Sequence, residues 1–139
     1  MELSFHYMLM TNHLVLQKKL MNSLRADGLT LGQPKVLDYL MEHDGANQKE
    51  IAQACHIEPA SLTSILNGME EKGMIERKML HGNRRSMHIF VSPKGRQLQK
   101  SISDAFKALE DAAFAGISEN DRSKFMHIFF FFYDNLTEN

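Results

Sequence analysis

Two adjacent arginines, Arg84 and Arg85, lie within the stretch HGNRRSMHIF at residues 81–90. A guanidinium group is permanently charged and binds phosphate or carboxylate oxygens in a bidentate manner. Two such groups side by side repel each other and are costly to bury without partners. The Gly82-Asn83 pair before them is typical of a turn. This tip therefore either lies in water or binds a polyanion.

The basic residues of the chain are concentrated around this tip. Residues 72–100 contain eight Lys or Arg and one acid, a net charge of +7, whereas residues 1–71 and 101–139 each carry −4. The formal charge of the whole chain is only −1. A basic segment between acidic flanks is an electrostatic footprint for an anionic partner, although a solvated charged face remains the alternative interpretation.

The other reactive side chains do not form a pattern typical of catalysis or metal binding. The seven histidines form no HExxH motif and no cluster with acids at ligand spacing, and the single cysteine cannot form an intrachain disulfide. Because no nucleophile can be paired with a base, we expect neither an enzyme nor a bound metal or cofactor. Cys55 is expected to pack in the core as an inert thiol instead of sensing oxidants.

The composition predicts a folded cytoplasmic domain. Hydrophobic residues make up 43% of the 139 residues, which is enough for a core. The longest strongly apolar run, Phe125 to Tyr133, is far shorter than the roughly 18 residues that span a bilayer. The N-terminus has neither the basic segment nor the cleavage site of a signal peptide. We therefore expect no membrane partner.

Capping and turn residues divide the chain into helices around one β-hairpin. Thr30 is predicted to cap a helix as part of a capping box, in which the Gln33 side chain bonds to the Thr30 amide. Asn47 and Glu50 are predicted to form a second capping box. Pro59 suits the first position of another helix. The predicted elements are helices over 3–25, 30–42, 47–54, 59–72, 92–115 and from 118 onward, and strands over 74–78 and 87–91.

The helix predicted over 59–72 has two different faces. Its inward stripe consists of Leu62, Ile65, Leu66 and Met69 at helical spacing. The opposite face is small and uncharged through its first two turns, which suits close approach to another surface. That face contains Ala60, Thr63, Ser64, Asn67 and Glu71, with Ser61 at its edge.

The order helix, short helix, helix and β-hairpin predicts a winged helix-turn-helix, in a fold that is mainly α with a small β-hairpin wing. The second helix of such a pair enters a DNA major groove, and the wing reaches the backbone or the minor groove. Ser61, Thr63, Ser64 and Asn67 are then expected to face bases or phosphates. On the wing, Arg84 and Arg85 would border the minor groove, and Arg77 and Lys78 would bind phosphates.

Seven short motifs follow one another along the chain: Leu29-Thr30, Val36-Leu37-Asp38-Tyr39-Leu40, Glu50-Ile51-Ala52, Pro59-Ala60-Ser61-Leu62-Thr63, Gly73-Met74-Ile75-Glu76-Arg77, Asn83-Arg84-Arg85 and Ser92-Pro93-Lys94-Gly95. This ordered set resembles the MarR (multiple antibiotic resistance regulator) family. The resemblance covers residues 29–98 in detail and the terminal helices in outline. Asn83 stands where this family usually has an aspartate that orients the wing arginine, here Arg85. Glu58 stands where Ser or Asp is common.

The resemblance implies a homodimeric transcriptional regulator on a pseudo-palindromic operator, most simply a repressor released by a small aromatic or anionic effector. It divides the chain into an N-terminal dimerisation helix (1–28), a winged helix-turn-helix (29–92) and C-terminal dimerisation helices (93–139). Four consecutive phenylalanines at 129–132 occupy all faces of the last helix, which favours burial between chains.

Two alternatives remain open from the sequence. Met10, His13 and Tyr39 are candidates for lining an effector pocket, but each also suits ordinary packing. The winged helix is also compatible with a protein-interaction module that does not bind DNA.

Overall fold

The computed structural model describes residues 3–80, 82 and 86–138. Within these residues six α-helices and a two-stranded antiparallel sheet are formed, which confirms the predicted fold class. The chain divides into two compact units, residues 1–106 and 107–139. The elements are α1 (Phe5–Ser23), a 3-10 turn (Arg25–Asp27), α2 (Gln33–Leu40), α3 (Gln48–Cys55), α4 (Pro59–Glu71), β1 (Ile75–Met79), β2 (Met87–Val91), α5 (Pro93–Ala113) and α6 (Glu119–Thr137).

Local side-chain caps set most of the helix starts. Asn47 forms a capping box, since its side chain accepts from the Glu50 amide at 2.8 Å and Glu50 Oε1 accepts from the Asn47 amide at 3.1 Å. Pro59 is the first residue of α4, and Ser118 caps α6 by accepting from the Asp121 amide. These three helix starts were predicted from the sequence and are confirmed.

The predicted cap of α2 is wrong by two residues. The helix begins at Gln33, and its N-cap is Gly32 in the left-handed conformation (φ 90°) instead of Thr30. Gln33 does reach back, because its Oε1 accepts from the Thr30 amide at 3.0 Å. A Cβ on residue 32 would lie 2.5 Å from Ile65 Cδ1. The left-handed backbone at residue 32 therefore selects glycine, and the helix begins two residues after the predicted cap.

The core of the first unit lies between α2, α3, α4 and the hairpin. Apolar side chains from each element are removed from water, and each contributes roughly 1.5–3 kcal/mol relative to exposure. The largest fully buried side chains are Leu24, Val36, Leu37, Leu40, Ile51, Leu62, Leu66, Met69, Met74, Ile75, Ile89 and Ile102. This packing fixes α4 against α2 and α3 and leaves its other side in solvent.

The base of the hairpin is fastened to the loop between α2 and α3. The strands pair from Ile75 opposite Val91 to Met79 opposite Met87. The Gly45 amide donates to the Ile89 carbonyl at 2.8 Å, which adds that loop to the free edge of β2. Asp44, in the same loop, binds the end of β2 and the start of α5, because its carboxylate accepts from the Val91 amide at 2.8 Å and from the Arg96 guanidinium at 3.1 Å.

The second unit contains the end of α5 and the whole of α6. The Phe114 ring packs edge-on against Phe125, and the Arg122 guanidinium lies 4.3 Å from the Phe114 centroid. No described residue of α6 is buried, and Phe130 is 63% exposed. None of the described helices is long and apolar enough to cross a membrane.

Candidate nucleic-acid interface

The exposed face of α4 consists of small polar side chains. Ser61, Thr63, Ser64 and Asn67 are all exposed, whereas the opposite stripe is fully buried at Leu62, Leu66 and Met69 and half-buried at Ile65. Glu58, the N-cap residue, makes no side-chain capping bond and remains at the exposed start of the helix. The structure therefore places the four predicted side chains together on one accessible surface.

Thr63 is held in place from two sides. Its hydroxyl donates to the Pro59 carbonyl at 3.0 Å, and it accepts from Gln48 Nε2 at 2.7 Å. Gln48 is the first residue of α3, so this pair joins the two helices of the helix-turn-helix at the exposed surface. The sequence analysis did not identify Gln48 as part of the site. No local signal marked Gln48, because its bond to Thr63 joins residues 15 positions apart in the chain.

Arg77 connects the hairpin to α4. Its Nη2 donates to Asn67 Oδ1 at 2.7 Å, and its Nε lies 3.9 Å from Glu70 Oε2. The Arg77 side chain is only 17% exposed. Residues two apart on a strand share a face, and Ile75 is buried, so the alternation places Arg77 on the inward side. The sequence analysis assigned Arg77 to phosphates and missed this contact with Asn67.

Lys78 lies on the opposite face of β1 and is accessible. Its side chain is 57% exposed, its Nζ is 3.7 Å from Glu76 Oε2, and it lies 5.2 Å from the centroid of the Phe90 ring. An exposed ion pair of this kind contributes little, so the ammonium remains available to an anion. Asn83, Arg84 and Arg85, the predicted tip of the wing, lie outside the described residues.

The three candidate effector residues lie on two different helices. Met10 and His13 are exposed on α1, whereas Tyr39 is half-buried on α2. The Tyr39 ring stacks in parallel on His43 with a centroid distance of 4.3 Å. The described contacts do not bring Tyr39 together with Met10 or His13, so the pocket remains a prediction.

Cys55 is buried in the core, as expected. Its side chain is 2% exposed, and burial raises the pKa of the thiol, although the charge of nearby Lys35 acts in the opposite direction. Desolvation outweighs the charge of Lys35, so the thiol keeps its proton and is inert. Among the described residues no group of three or more His, Cys, Asp or Glu is placed to hold a metal ion.

Comparison with known proteins gives consistent matches. Residues 29–87 match the model of the MarR family. The chain is 26% identical over 93 residues to the HTH-type transcriptional regulator YwhA of Bacillus subtilis, covering 67% of each chain. It is 23% identical over 113 residues to the HTH-type transcriptional repressor MdtR of the same organism, covering 81% of this chain and 73% of the relative.

A solved structure from Listeria monocytogenes, described as a MarR family transcriptional regulator complexed with 26mer DNA, has a similar fold. It superposes with a TM-score of 0.91 and 18% identity, covering 98% of this chain and 90% of the other.

Proposed function

Because this chain belongs to the MarR family of transcriptional regulators, as its sequence indicated, we propose that it binds double-stranded DNA in a sequence-specific manner. The observation that carries this proposal is the exposed, uncharged face of α4 formed by Ser61, Thr63, Ser64 and Asn67. On the opposite side of α4, Leu62, Leu66 and Met69 are fully buried in the core. This packing holds the helix in place, so its exposed face meets a partner as a rigid surface.

The dimensions and chemistry of this face suit a major groove. The groove of B-DNA is about 12 Å wide and admits one α-helix, provided that the side chains on the approaching face are short. Hydroxyl and amide groups then reach base edges or phosphates. Glu70 and Glu71 lie only at the end of α4, so the carboxylates within the helix are kept away from its leading end.

The wing supplies the positive charge that the helix face lacks. Lys78 is accessible for a phosphate, and we propose that Arg84 and Arg85 border the adjacent minor groove. Asn83 lacks the charge of the aspartate that is usual in the family, so we propose that Arg85 is held less firmly against the DNA than an acid-paired arginine.

We further propose that the functional unit is a cytoplasmic homodimer on a pseudo-palindromic operator. Exposed apolar side chains on α1 and on α6 exceed what a monomer ordinarily leaves in water, as Leu14 at 62% and Phe130 at 63% exposure illustrate. A two-fold dimer presents two copies of α4 to half-sites one helical turn apart.

Repression with release by a small aromatic or anionic effector is the regulatory mode that we propose. The relative MdtR is named a repressor, and a dimer that covers an operator blocks access of other proteins to the same DNA. Tyr39 on one side and Met10 with His13 on the other are the residues that an effector is proposed to contact. A thermal-shift screen with benzoate and phenylacetate tests this mode. A bound effector is expected to raise the melting temperature of the protein and to weaken its DNA binding.

The test of DNA binding is selection of duplexes from a random 30-base-pair library by the full-length protein, followed by fluorescence anisotropy. A specific site is expected to bind at least about 10³-fold more tightly than a scrambled duplex of equal length. Equal affinity for both duplexes would contradict sequence-specific binding. Lack of retention on heparin at low salt would instead favour the protein-interaction module.

A further inference from the structure

The hydroxyl of Thr63 is already engaged within the protein. It has one proton, which it donates to the Pro59 carbonyl at 3.0 Å, and one of its two lone pairs accepts from Gln48 Nε2 at 2.7 Å. The first bond is the i−4 back-bond that a threonine in a helix commonly forms. Both bonds hold the oxygen close to the helix backbone and to α3.

The γ-methyl group is therefore the apolar part of Thr63 left for a partner, while the oxygen keeps one lone pair and has no proton to donate. Threonine carries only the hydroxyl, the methyl and a hydrogen on Cβ, and staggering places the methyl about 120° away from the oxygen. The residue as a whole is exposed, although its oxygen is held by two bonds. Thr63, which was predicted to form hydrogen bonds with DNA, thus presents a methyl group whose orientation is fixed by the two bonds of its hydroxyl.

We propose that Thr63 recognises thymine through a contact between its γ-methyl group and the thymine 5-methyl group. This inference rests on the proposed function and defines one base preference of the same surface. In the major groove thymine is the one standard base that displays a methyl, and threonine methyl contacts recognise it. Thr63 is the fifth residue of α4, within the leading half of the helix, which is the part that contacts base edges in helix-turn-helix proteins.

Gln48 acts as a positioning residue in this arrangement. Without its amide, both lone pairs of the Thr63 oxygen would be open to adenine N6 or cytosine N4, and the preference for thymine would weaken. Gln48 is itself half-buried against α4, which restricts the rotamers from which it can donate.

The experiment is a thymine-to-uracil scan of a duplex selected by the full-length protein, because deoxyuridine differs from thymidine only by that methyl. One symmetric pair of thymines is expected at which the wild type loses about fourfold in affinity for each methyl removed, the value of one buried methyl group. Thr63→Val retains the methyl and is expected to show the same loss. Thr63→Ser retains the hydroxyl and is expected to bind both duplexes equally.

A matched control is Ser64→Ala, which removes a hydroxyl from the same face and is expected to retain the full uracil effect. The inference is overturned if Thr63→Ser discriminates thymine from uracil as the wild type does, or if Thr63→Val loses that discrimination. It is also overturned if no thymine in the duplex responds. Failure of the proposed function looks different, since no duplex would then be selected. Circular dichroism melting of each variant verifies that the fold is retained.

Discussion

Arg77 and Lys78 are neighbours in β1 that carry the same charge but have different partners. Arg77 is mostly buried and donates to Asn67 on α4, whereas Lys78 is exposed and lies near Glu76. A cation that contacts a phosphate releases counterions on binding, and a cation that holds another protein side chain does not. The salt dependence of DNA binding therefore separates the two roles.

We expect Arg77→Met to weaken specific DNA binding several-fold without changing its salt dependence, because the change frees the Asn67 amide and keeps most of the aliphatic stem. Lys78→Met is the matched control and is expected to reduce the slope of log K against log salt by about 1. Anisotropy titrations between 50 and 200 mM salt measure both slopes. A reduced slope for Arg77→Met would show that Arg77 binds a phosphate directly.

Cys55 gives a prediction about pH. Burial raises the pKa of this thiol above its ordinary value of 9.0, so the folded state keeps its proton where the unfolded state has lost it. Stability is therefore unaffected well below pH 9 and falls as the pH rises above it. Chemical denaturation between pH 7 and 10.5 is expected to show this loss of stability. Cys55→Ala is expected to be less stable than the wild type at pH 7, but its free energy of unfolding should fall less between pH 7 and 10.5. Rapid labelling of the native thiol by iodoacetamide at pH 7 would contradict the buried, protonated state.

At the scale of elements, the packing of α5 against the hairpin base depends on Gly95. A Cβ at this position would overlap the Met74 carbonyl oxygen and lie 2.7 Å from Val91 Cγ1. Gly68 in α4 is also helical, but a Cβ there would meet only Gln33 Nε2, at 3.2 Å. The two glycines thus offer the same gain in helix propensity with different space around them.

We expect Gly95→Ala to lower the free energy of unfolding by about 1–3 kcal/mol, since backbone and β2 must move apart to accept the methyl group. Gly68→Ala is expected to change it by less than about 1 kcal/mol, because propensity offsets a small shift of the Gln33 side chain. Urea denaturation monitored by circular dichroism measures both. Equal stabilities of the two variants would argue against the tight contact between α5 and Met74.

The sequence predicted those elements whose signals are local. The capping box at Asn47, the proline start of α4 and the strand β2 needed only neighbouring residues, and they are confirmed. The cap of α2 was misplaced, because Gly32 in the left-handed conformation caps the helix instead of Thr30. The exposed face of α4 was predictable, because helical periodicity is a local signal. The bonds from Gln48 to Thr63 and from Arg77 to Asn67 join different elements, so the sequence could not predict them.

At the scale of the whole molecule, the exposed phenylalanines of α6 predict self-association. We expect the full-length chain to sediment at twice its 16.0 kDa mass, because burial between two copies removes these side chains from water. Phe130→Glu is expected to shift the equilibrium toward monomer and to weaken DNA binding. Asn120→Glu adds the same charge at the exposed start of α6 and serves as the control. A monomeric wild type at micromolar concentration would contradict the proposed dimer.

The central claim is that the exposed face of α4 enters the major groove, and dimethyl sulfate protection of a selected duplex tests it most directly. This reagent methylates guanine N7, which lies in that groove. We predict protected guanines in two half-sites about one helical turn apart with the wild type, and loss of that protection with Ser64→Glu, which places a charge on the same face. Guanines that remain fully reactive under saturating protein, or protection that Ser64→Glu leaves unchanged, would contradict the claim.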